Sequence, residues 1–246
     1  MRVLVTGGAG FIGSHVCERL VGRGDSVVIV DSFDPFYDPA IKRRNIEGVM
    51  KSGRAELIEA DITDAERLDN ALASIEVDAI IHLAARAGVR PSLERPLDYV
   101  RTNVEGTGAL LELARRKRIR AFVMGSSSSV YGDSTPVPFS EGEMATQPIS
   151  PYAATKRAAE LLCHTYSHLY GQSVACLRFF TVYGPRQRPD LAIHKFARLM
   201  TDGAEIPVYG DGTAERDYTY IDDIVRGVEA ALDWTANAQP GAFEII

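Results

Sequence analysis

The sequence predicts an α/β protein built on a doubly wound parallel sheet, followed by a small second lobe towards the C-terminus. Three observations lead to this prediction. Short apolar runs rich in β-branched residues alternate with helical patterns along most of the chain, which is typical of βαβ units. A glycine-rich turn joins the first run to the first helical pattern. After residue 182 the alternation stops, and a loop rich in Gly, Pro and Arg begins.

Six apolar runs are predicted to form the strands of this sheet. They are apolar almost throughout, as expected for strands that helices cover on both faces. In chain order they are "RVLVT" (2–6), "SVVIV" (26–30), "AELIEA" (55–60), "DAIIHLA" (78–84), "RAFVMG" (120–125) and "SVACLRF" (173–179). Because crossovers between parallel strands are right-handed, this order favours a doubly wound, Rossmann-type sheet.

The helical patterns and the later loops suggest two structural units. Patterns such as "IGSHVCERLVGRG" (12–24) and "GTGALLELARRKR" (106–118) fit helices between the strands. The predicted units are a dinucleotide-binding domain over 1–182, to which 215–236 returns, and a second lobe over 183–214 and 237–246. The final run, "GAFEII", resembles a strand with no capping signal after it. We therefore expect further residues beyond it and a truncated C-terminal lobe.

Composition excludes several classes of protein. The 246 residues are 46% hydrophobic and 24% charged, an ordinary globular composition. A net charge of −6 argues against a nucleic-acid partner, and no apolar run approaches the roughly 20 residues that span a membrane. Cys17, Cys163 and Cys176 are scattered and odd in number. This pattern favours a reducing compartment without a disulfide framework, so we expect a cytoplasmic protein.

The stretch "VTGGAGFIGSH" is predicted to bind the pyrophosphate of a dinucleotide. It has GxxGxxG spacing, follows the first strand and opens the first helix. Glycine permits turn dihedral angles closed to other residues and lets the backbone approach a phosphate, whose charge the helix N–H groups stabilise. The residues of this stretch predicted to bind the cofactor are Gly7, Gly10, Phe11, Ile12 and Gly13.

An acidic residue completes the dinucleotide pattern. Asp31 closes the second strand, 18 residues beyond Gly13, near the spacing of a ribose-binding carboxylate. A carboxylate there would repel a 2′-phosphate, so the pattern favours NAD over NADP. The alternative is a glycine-rich turn with an Asp that caps a helix.

Two further strand ends suit the cofactor. Small or apolar residues there would leave room for a dinucleotide beside the switch point of the sheet. The candidates are Asp61 and Ile62 after the third strand, and Leu83, Ala84 and Ala85 after the fourth. The alternative is a loop acid and a packed strand end.

A serine-rich turn precedes a helix that carries a tyrosine and a lysine. "MGSSSSVYG" (124–132) ends the fifth strand, and "SPYAATK" (150–156) opens the helix, where Pro151 suits the first position. Tyr152 and Lys156 are four residues apart and therefore face the same side of the helix. On its own, this pair could equally be a surface tyrosine and a solvated lysine.

These motifs together resemble the extended short-chain dehydrogenase/reductase superfamily. "TGGAGFIG", "HLAA", "SSSSVYG" and "YAATK" occur in the superfamily's order, and the resemblance covers essentially the whole chain. Within the superfamily, "AGVRPSLERP" (87–96), "SHLYG" (167–171) and "LRFFTVYGPRQRPD" (177–190) are similar to UDP-glucuronate 4-epimerases. The resemblance implies an NAD-dependent epimerase that inverts C4 of UDP-glucuronate through a transient 4-keto sugar, and a second lobe that binds the nucleotide sugar.

The resemblance also implies catalytic roles. Tyr152 would remove the proton of the C4 hydroxyl, and Lys156 would hold the nicotinamide ribose. The ammonium and the nicotinamide charge would lower the pKa of the phenol. Ser127 matches the serine that binds this hydroxyl, and Ser128 could share the task with its neighbour Ser129. Asn103, in "VRTNVEGT", matches an asparagine near the cofactor.

Candidate substrate-binding residues follow from the same resemblance. Arg188 and Thr181 are candidates for the sugar carboxylate, because a guanidinium can bind a carboxylate with two parallel hydrogen bonds. Arg216 matches an arginine that contacts the UDP phosphates, and Arg90 lies in a matching stretch. The alternatives are solvated arginines and a surface ion pair. Arg86, after "HLAA", is unlike the uncharged residue expected there, and its partner stays open.

Related activities remain as alternatives. Sugar-nucleotide 4,6-dehydratases carry acidic residues where this chain has Ser128 and Ser129. Thr181 stands where many relatives have Asn, which weakens a galactose assignment. The alternatives are a UDP-glucose/galactose 4-epimerase and, in another class, a non-catalytic dinucleotide-binding protein.

The superfamily commonly forms homodimers, and we expect one here. The helix that carries Tyr152 and another near 98–116 would form the interface. The apolar stripe on the first of these consists of Leu161, Leu162, Thr165, Tyr166 and Leu169. Packing of this stripe on the chain's own sheet is the alternative. His164 and His168 could pair on a metal, but no third ligand is evident and we expect none.

Overall fold

A computed structural model describes residues 1–207, 210–213 and 215–246, which contain two parallel sheets. The strands are β1 (Arg2–Thr6), β2 (Ser26–Asp31), β3 (Ala55–Glu59), β4 (Ala79–His82), β5 (Ala121–Gly125), β6 (Ser173–Leu177), β7 (Thr181–Tyr183), β8 (Tyr218–Tyr220) and β9 (Phe243–Ile245). The larger sheet has the order β3-β2-β1-β4-β5-β6-β9, and all its neighbouring strands are parallel. The six predicted strands are confirmed, with bounds that differ by one or two residues.

The helices cover both faces of this sheet. They are α1 (Phe11–Arg23), α2 (Pro39–Lys51), α3 (Ala65–Ala71), α4 (Val89–Glu94), α5 (Pro96–Tyr99), α6 (Gly106–Lys117), α7 (Pro151–Tyr170), α8 (Ala192–Thr201) and α9 (Ile221–Asn237). A π-helical turn, Val100–Glu105, joins α5 to α6, and a 3₁₀ turn, Ser128–Tyr131, follows β5.

The pleat of the strands divides the core into two layers. Along β1, Val3 and Val5 join the layer that α1 and α9 cover, while Leu4 joins the layer that α6 and α7 cover. All three side chains are fully buried. Because successive side chains point to opposite faces, the three central positions of this strand are all apolar, and the doubly wound prediction is confirmed.

The C-terminal strand corrects one predicted boundary. We assigned 237–246 to the second lobe, but β9 pairs with β6 at the edge of the larger sheet, with Val174 opposite Phe243. Phe243 and Ile245 pack against the layer that contains α7. The assignment was wrong because the apolar run finds its partner strand far back in the chain. The remaining division into domains stays a prediction.

A second, smaller sheet lies at the edge of the predicted lobe. Its strands β7 and β8 are parallel, and Thr181 pairs with Tyr218. Helix α8 lies within the predicted second lobe. In the same part of the chain, Val208, Tyr209 and Ala214 lie outside the described residues.

Candidate active site

The glycine turn brings backbone into close contact with backbone. Gly7 has φ +67°, and a Cβ there would lie 2.7 Å from the backbone nitrogen of Ala84. A Cβ at Gly13 would overlap the carbonyl oxygen of Gly7. Gly10 begins α1 without a side-chain cap, so the first N–H groups of the helix are left for a ligand. Side chains at these glycine positions would fill the cradle. With glycines there, the cradle fits the pyrophosphate of a dinucleotide.

The predicted ribose acid is fixed beside this turn. Asp31 accepts hydrogen bonds from the backbone N–H groups of Ala9 (3.2 Å) and Phe33 (2.8 Å). Its carboxylate lies 3.5 Å from the ammonium of Lys42. Asn45 donates to the carbonyl of Ala9 across 3.1 Å, so α2 also stabilises the turn. These contacts hold a carboxylate at the carboxyl end of β2, where a ribose would lie.

The other predicted cofactor residues differ in their surroundings. Asp61 is exposed and accepts bonds from the N–H and hydroxyl of Thr63, both at 2.8 Å. Ile62 is buried in the core layer behind the sheet. Leu83, Ala84 and Ala85 are partly buried. Ala84 lies directly against the glycine turn and is therefore the best placed of these strand-end residues.

Helix α7 holds the tyrosine and the lysine. The hydroxyl of Ser150 accepts a bond from the N–H of Ala153 (3.1 Å), and Pro151 occupies the first turn, which defines the start of the helix. Lys156, 6% exposed, donates from Nζ to the carbonyl of Gly125 across 2.7 Å. Burial lowers the pKa of this lysine to about 8.

The Tyr152 phenol lies near the hydroxyl of Ser127 at the serine turn, and this hydroxyl acts to lower the pKa of the phenol. Burial raises the pKa of the Tyr152 phenol, while the Ser127 hydroxyl and the charge of Arg188 act in the opposite direction. In this structure the nearby cation whose charge acts on the phenol is Arg188, while the Nζ of Lys156 binds the β5 carbonyl. The expected effect of Lys156, together with the nicotinamide charge, on the pKa of Tyr152 stays a prediction.

Hydrogen bonds hold the serine turn in place. Ser127 is buried, and its hydroxyl accepts a bond from the N–H of Ser129 (3.2 Å). Ser128 is partly buried, and its N–H donates to the carbonyl of Phe179 (2.9 Å). The structure therefore places Ser127 against Tyr152 and leaves Ser128 beside it, with Ser129 one residue further on.

Asn103 connects the π-helical turn to α7. It is 1% exposed, and its Nδ2 donates to the hydroxyl of Thr155 (3.0 Å) and to the carbonyl of Arg86 (3.0 Å). The Thr155 hydroxyl donates in turn to the carbonyl of Tyr152 (2.8 Å). Through Thr155, Asn103 thus positions the helical backbone that carries Tyr152 and Lys156.

His82 extends this network, and sequence reasoning missed it. Its Nε2 lies 2.9 Å from the hydroxyl of Thr107, whose single proton is donated to the carbonyl of Asn103. Nε2 must therefore carry a proton, and Nδ1 accepts from the hydroxyl of Thr6 (2.8 Å). Burial, with a smaller contribution from the charge of Lys156, lowers the pKa of this histidine to about 3, so it stays neutral.

A buried ion cluster behind α7 was also missed. Glu160 is fully buried and binds Arg178 through two hydrogen bonds of 3.0 and 3.1 Å. It also accepts from the hydroxyl of Ser126 (2.6 Å) and from Arg157 (2.9 Å). The sequence did contain one indication of this cluster. Arg178 lies inside the predicted apolar run "SVACLRF" (173–179), and a buried charge requires a partner.

The predicted substrate residues are not equally close to Tyr152. The guanidinium of Arg188 acts on the Tyr152 phenol and is paired with Asp190 (2.6 Å). Thr181 lies in β7 and is partly buried. Arg216 is exposed and donates to the carbonyl of its neighbour Glu215 across 2.6 Å, while Arg90 is exposed on α4. Of these residues, Arg188 is therefore the one whose charge acts on Tyr152.

His164 packs edge-on against the ring of Phe243, with the ring centroids 5.1 Å apart. Within residues 1–207, 210–213 and 215–246, no three His, Cys, Asp or Glu side chains lie together in a way that could hold a metal ion. None of the described helices is both long and apolar enough to cross a membrane.

Curated relatives match nearly the whole chain in sequence. The chain is 47% identical over 246 residues to "UDP-glucuronate 4-epimerase 4" of Arabidopsis thaliana, covering 98% of this chain and 56% of that protein. It is 45% identical over 243 residues to "UDP-glucuronate 4-epimerase" of Thermodesulfobacterium geofontis (strain OPF15), covering 99% of this chain and 73% of that protein. The chain thus spans about half the length of the plant relative.

A solved structure and a family model agree with these relatives. UDP-glucuronic acid 4-epimerase from Bacillus cereus, in complex with UDP-glucuronic acid and NAD, superposes with a TM-score of 0.89 at 39% identity. The superposition covers 100% of this chain and 76% of that one. The family described as "NAD dependent epimerase/dehydratase family" matches residues 3–245. With the glycine cradle, the strand-end serines and the Tyr152–Lys156 helix in one cleft, the chain belongs to this family.

Proposed function

We propose that this protein is an NAD-dependent nucleotide-sugar epimerase that inverts C4 of UDP-glucuronate. The observation that carries the proposal is the placement of Tyr152 near Ser127, on the helix that Lys156 joins to the end of β5, beside the glycine cradle. The names of the relatives point to the same reaction.

The cradle and its neighbours would hold the cofactor. Gly7, Gly10 and Gly13 would receive the pyrophosphate, and Asp31 would accept the hydroxyls of the adenosine ribose. NAD is the expected form because a 2′-phosphate would meet this buried carboxylate. The ammonium of Lys42, 3.5 Å away, offsets part of that charge, so the preference is tested directly by comparing the affinities for NAD and NADP.

Bound NAD would supply the acceptor for the C4 hydride and a positive ring charge. Tyr152 would take the proton of the C4 hydroxyl, which Ser127 holds in a hydrogen bond. Because burial raises the pKa of Tyr152, proton removal at neutral pH depends on positive charge beside the phenol. Arg188 supplies such a charge in the described structure.

Inversion requires the resulting 4-keto sugar to present its other face before the hydride returns. A 4-ketouronate is a β-keto acid, which loses carbon dioxide when its carboxylate is aligned for cleavage. We infer that Arg188 and Thr181 hold the carboxylate so that this loss is disfavoured. Asp190, which already binds Arg188, keeps the guanidinium oriented.

Product analysis with separate UDP-sugars tests this function. The protein, loaded with NAD, is incubated with UDP-glucuronate or with UDP-glucose, and the products are resolved by chromatography. The expected result is conversion of UDP-glucuronate to its C4 epimer. Turnover of UDP-glucose alone would instead establish the UDP-glucose/galactose alternative, and NAD binding without any turnover would establish a non-catalytic dinucleotide-binding protein.

We also propose a homodimer in the cytoplasm. Apolar side chains are exposed on adjoining elements of one side: Leu93, Leu97 and Val100 before α6, and Leu161 and Leu169 on α7. Leu162 and Tyr166, two other members of the predicted stripe, pack on the chain's own core. The three cysteines are free and buried, which suits a reducing compartment. Sedimentation of the wild type and a Leu97→Glu variant tests the dimer, which the variant should dissociate.

A further inference from the structure

An ion pair crosses the mouth of the dinucleotide cleft. The Nη2 of Arg86, after β4, donates to Oδ2 of Asp34, after β2, across 2.8 Å. In the sheet, β2 and β4 flank β1 on its two sides. The pair therefore spans the carboxyl end of β1, which is where the glycine turn begins. Sequence reasoning had left the partner of Arg86 open.

Both ends of this bridge are anchored by other groups. Oδ1 of Asp34 accepts the N–H of Phe36 (2.9 Å), which shapes the loop after β2. The N–H of Arg86 donates to Oδ1 of Asn103 (2.8 Å), and its carbonyl accepts from Nδ2 (3.0 Å). The backbone segments around Asp34 and Arg86 are thus already fixed. Formation of the ion pair therefore costs little additional conformational entropy.

The loop after β2 has a second contact, with Arg188. The ring of Phe36 lies 5.2 Å from the guanidinium of Arg188, within the range of a cation–π contact. Arg188 is the same residue whose charge acts on Tyr152. The loop at 32–38 therefore contacts both Arg86 and Arg188.

We propose that the Arg86–Asp34 pair is a strap that closes this cleft and slows release of the bound dinucleotide. The proposal rests on NAD binding in the proposed function and adds a retention role for two residues. A dinucleotide held against the glycine turn would lie beside the loops after β2 and β4, and its departure would be easier if these loops separated. Breaking the ion pair removes one of the contacts that oppose this separation.

The strap is tested by the rate of NAD dissociation from the full chain. NAD release is followed by fluorescence after excess competing dinucleotide is added to the wild type, Arg86→Gln, Asp34→Asn and the double variant. Asp34→Asn keeps the oxygen that accepts the Phe36 N–H and removes only the charge. Arg2→Gln is the matched control, because it breaks a similarly exposed ion pair (Arg2–Glu56, 2.7 Å) at the other end of β1.

The expected result is release about 2- to 5-fold faster in each single variant, as for a partly exposed ion pair. The double variant should release NAD no faster than the singles, because both changes break one contact. Higher salt should accelerate release from the wild type but not from Arg86→Gln. The control should match the wild type.

Four results would overturn the strap. Unchanged release rates, or additive effects in the double variant, would show that the pair does not hold the cleft closed. An altered KM for the UDP-sugar with unchanged NAD release would make Arg86 a substrate-binding residue instead. Failure of the wild type to bind NAD would overturn the proposed function as well, whereas the other three results leave the proposed function standing.

Discussion

The ammonium of Lys156 donates to the carbonyl oxygen of Gly125 across 2.7 Å, and this bond joins α7 to the end of β5. A lysine at this depth loses much of its hydration, and burial lowers its pKa to about 8. Glu160, one turn further along α7, acts in the opposite direction on this pKa. Burial of charged Lys156 therefore lowers the stability of the folded protein, and the fold nevertheless keeps this lysine beside the candidate active site.

Lys156 makes stability depend on pH, with a defined sign. Its pKa is about 8 in the folded protein, against an ordinary value of 10.5 for a solvated lysine, so between these values the unfolded chain binds the extra proton. The free energy of unfolding of the wild type should therefore rise relative to Lys156→Met, by about 2 kcal/mol from pH 7 to pH 9.5. Urea denaturation across this range measures it, and parallel pH curves for the two proteins would contradict it.

Gly13 and Gly22 provide matched substitutions in one helix. Gly13→Ala should lower the free energy of unfolding by about 1–3 kcal/mol, because its Cβ overlaps the backbone of Gly7. Gly22→Ala should raise it by up to about 1 kcal/mol, since nothing lies within 4 Å of the added Cβ. Urea titrations of both variants give these values. Equal effects would mean that the glycine turn tolerates a side chain.

Glu160 holds α7 against β6 through a buried charge. Glu160→Gln leaves Arg178 without its carboxylate, and the free energy of unfolding should fall by about 3–5 kcal/mol. Arg157→Gln removes the more exposed partner, with a side chain 21% exposed, and should cost about 1 kcal/mol or less. Thermal and urea unfolding compare the two. A small loss in Glu160→Gln would show that Arg178 finds other partners.

Tyr152→Phe separates proton transfer from cofactor binding. Loss of the phenol oxygen removes the proton acceptor, so turnover should fall by about 10²- to 10⁴-fold. NAD affinity should change little, because the glycine cradle and Asp31 remain. Steady-state kinetics and a binding titration on the same preparation measure the two effects. Full turnover in this variant would refute the role assigned to Tyr152.

Much of the fold could be predicted because its signals are local. β1 and β2 are continuous apolar runs, and Ser150 with Pro151 marks the start of α7. The final strand could be recognised as a strand but not assigned to a sheet. Its partner, β6, lies about 70 residues earlier, and no pattern within "GAFEII" specifies which edge it joins.

The candidate site likewise combines features that local sequence predicts with contacts that it does not predict. The amino-acid sequence by itself determined the alternation of strands and helices, the glycine turn, Asp31, and the Tyr152–Lys156 spacing, because periodicity and turn chemistry act over a few residues. Tertiary structure alone decided that Arg86 meets Asp34, 52 residues away, and that the charge of Arg188 acts on the Tyr152 phenol. Side-chain partners and burial depend on how distant segments pack, and a residue's pKa follows from those surroundings.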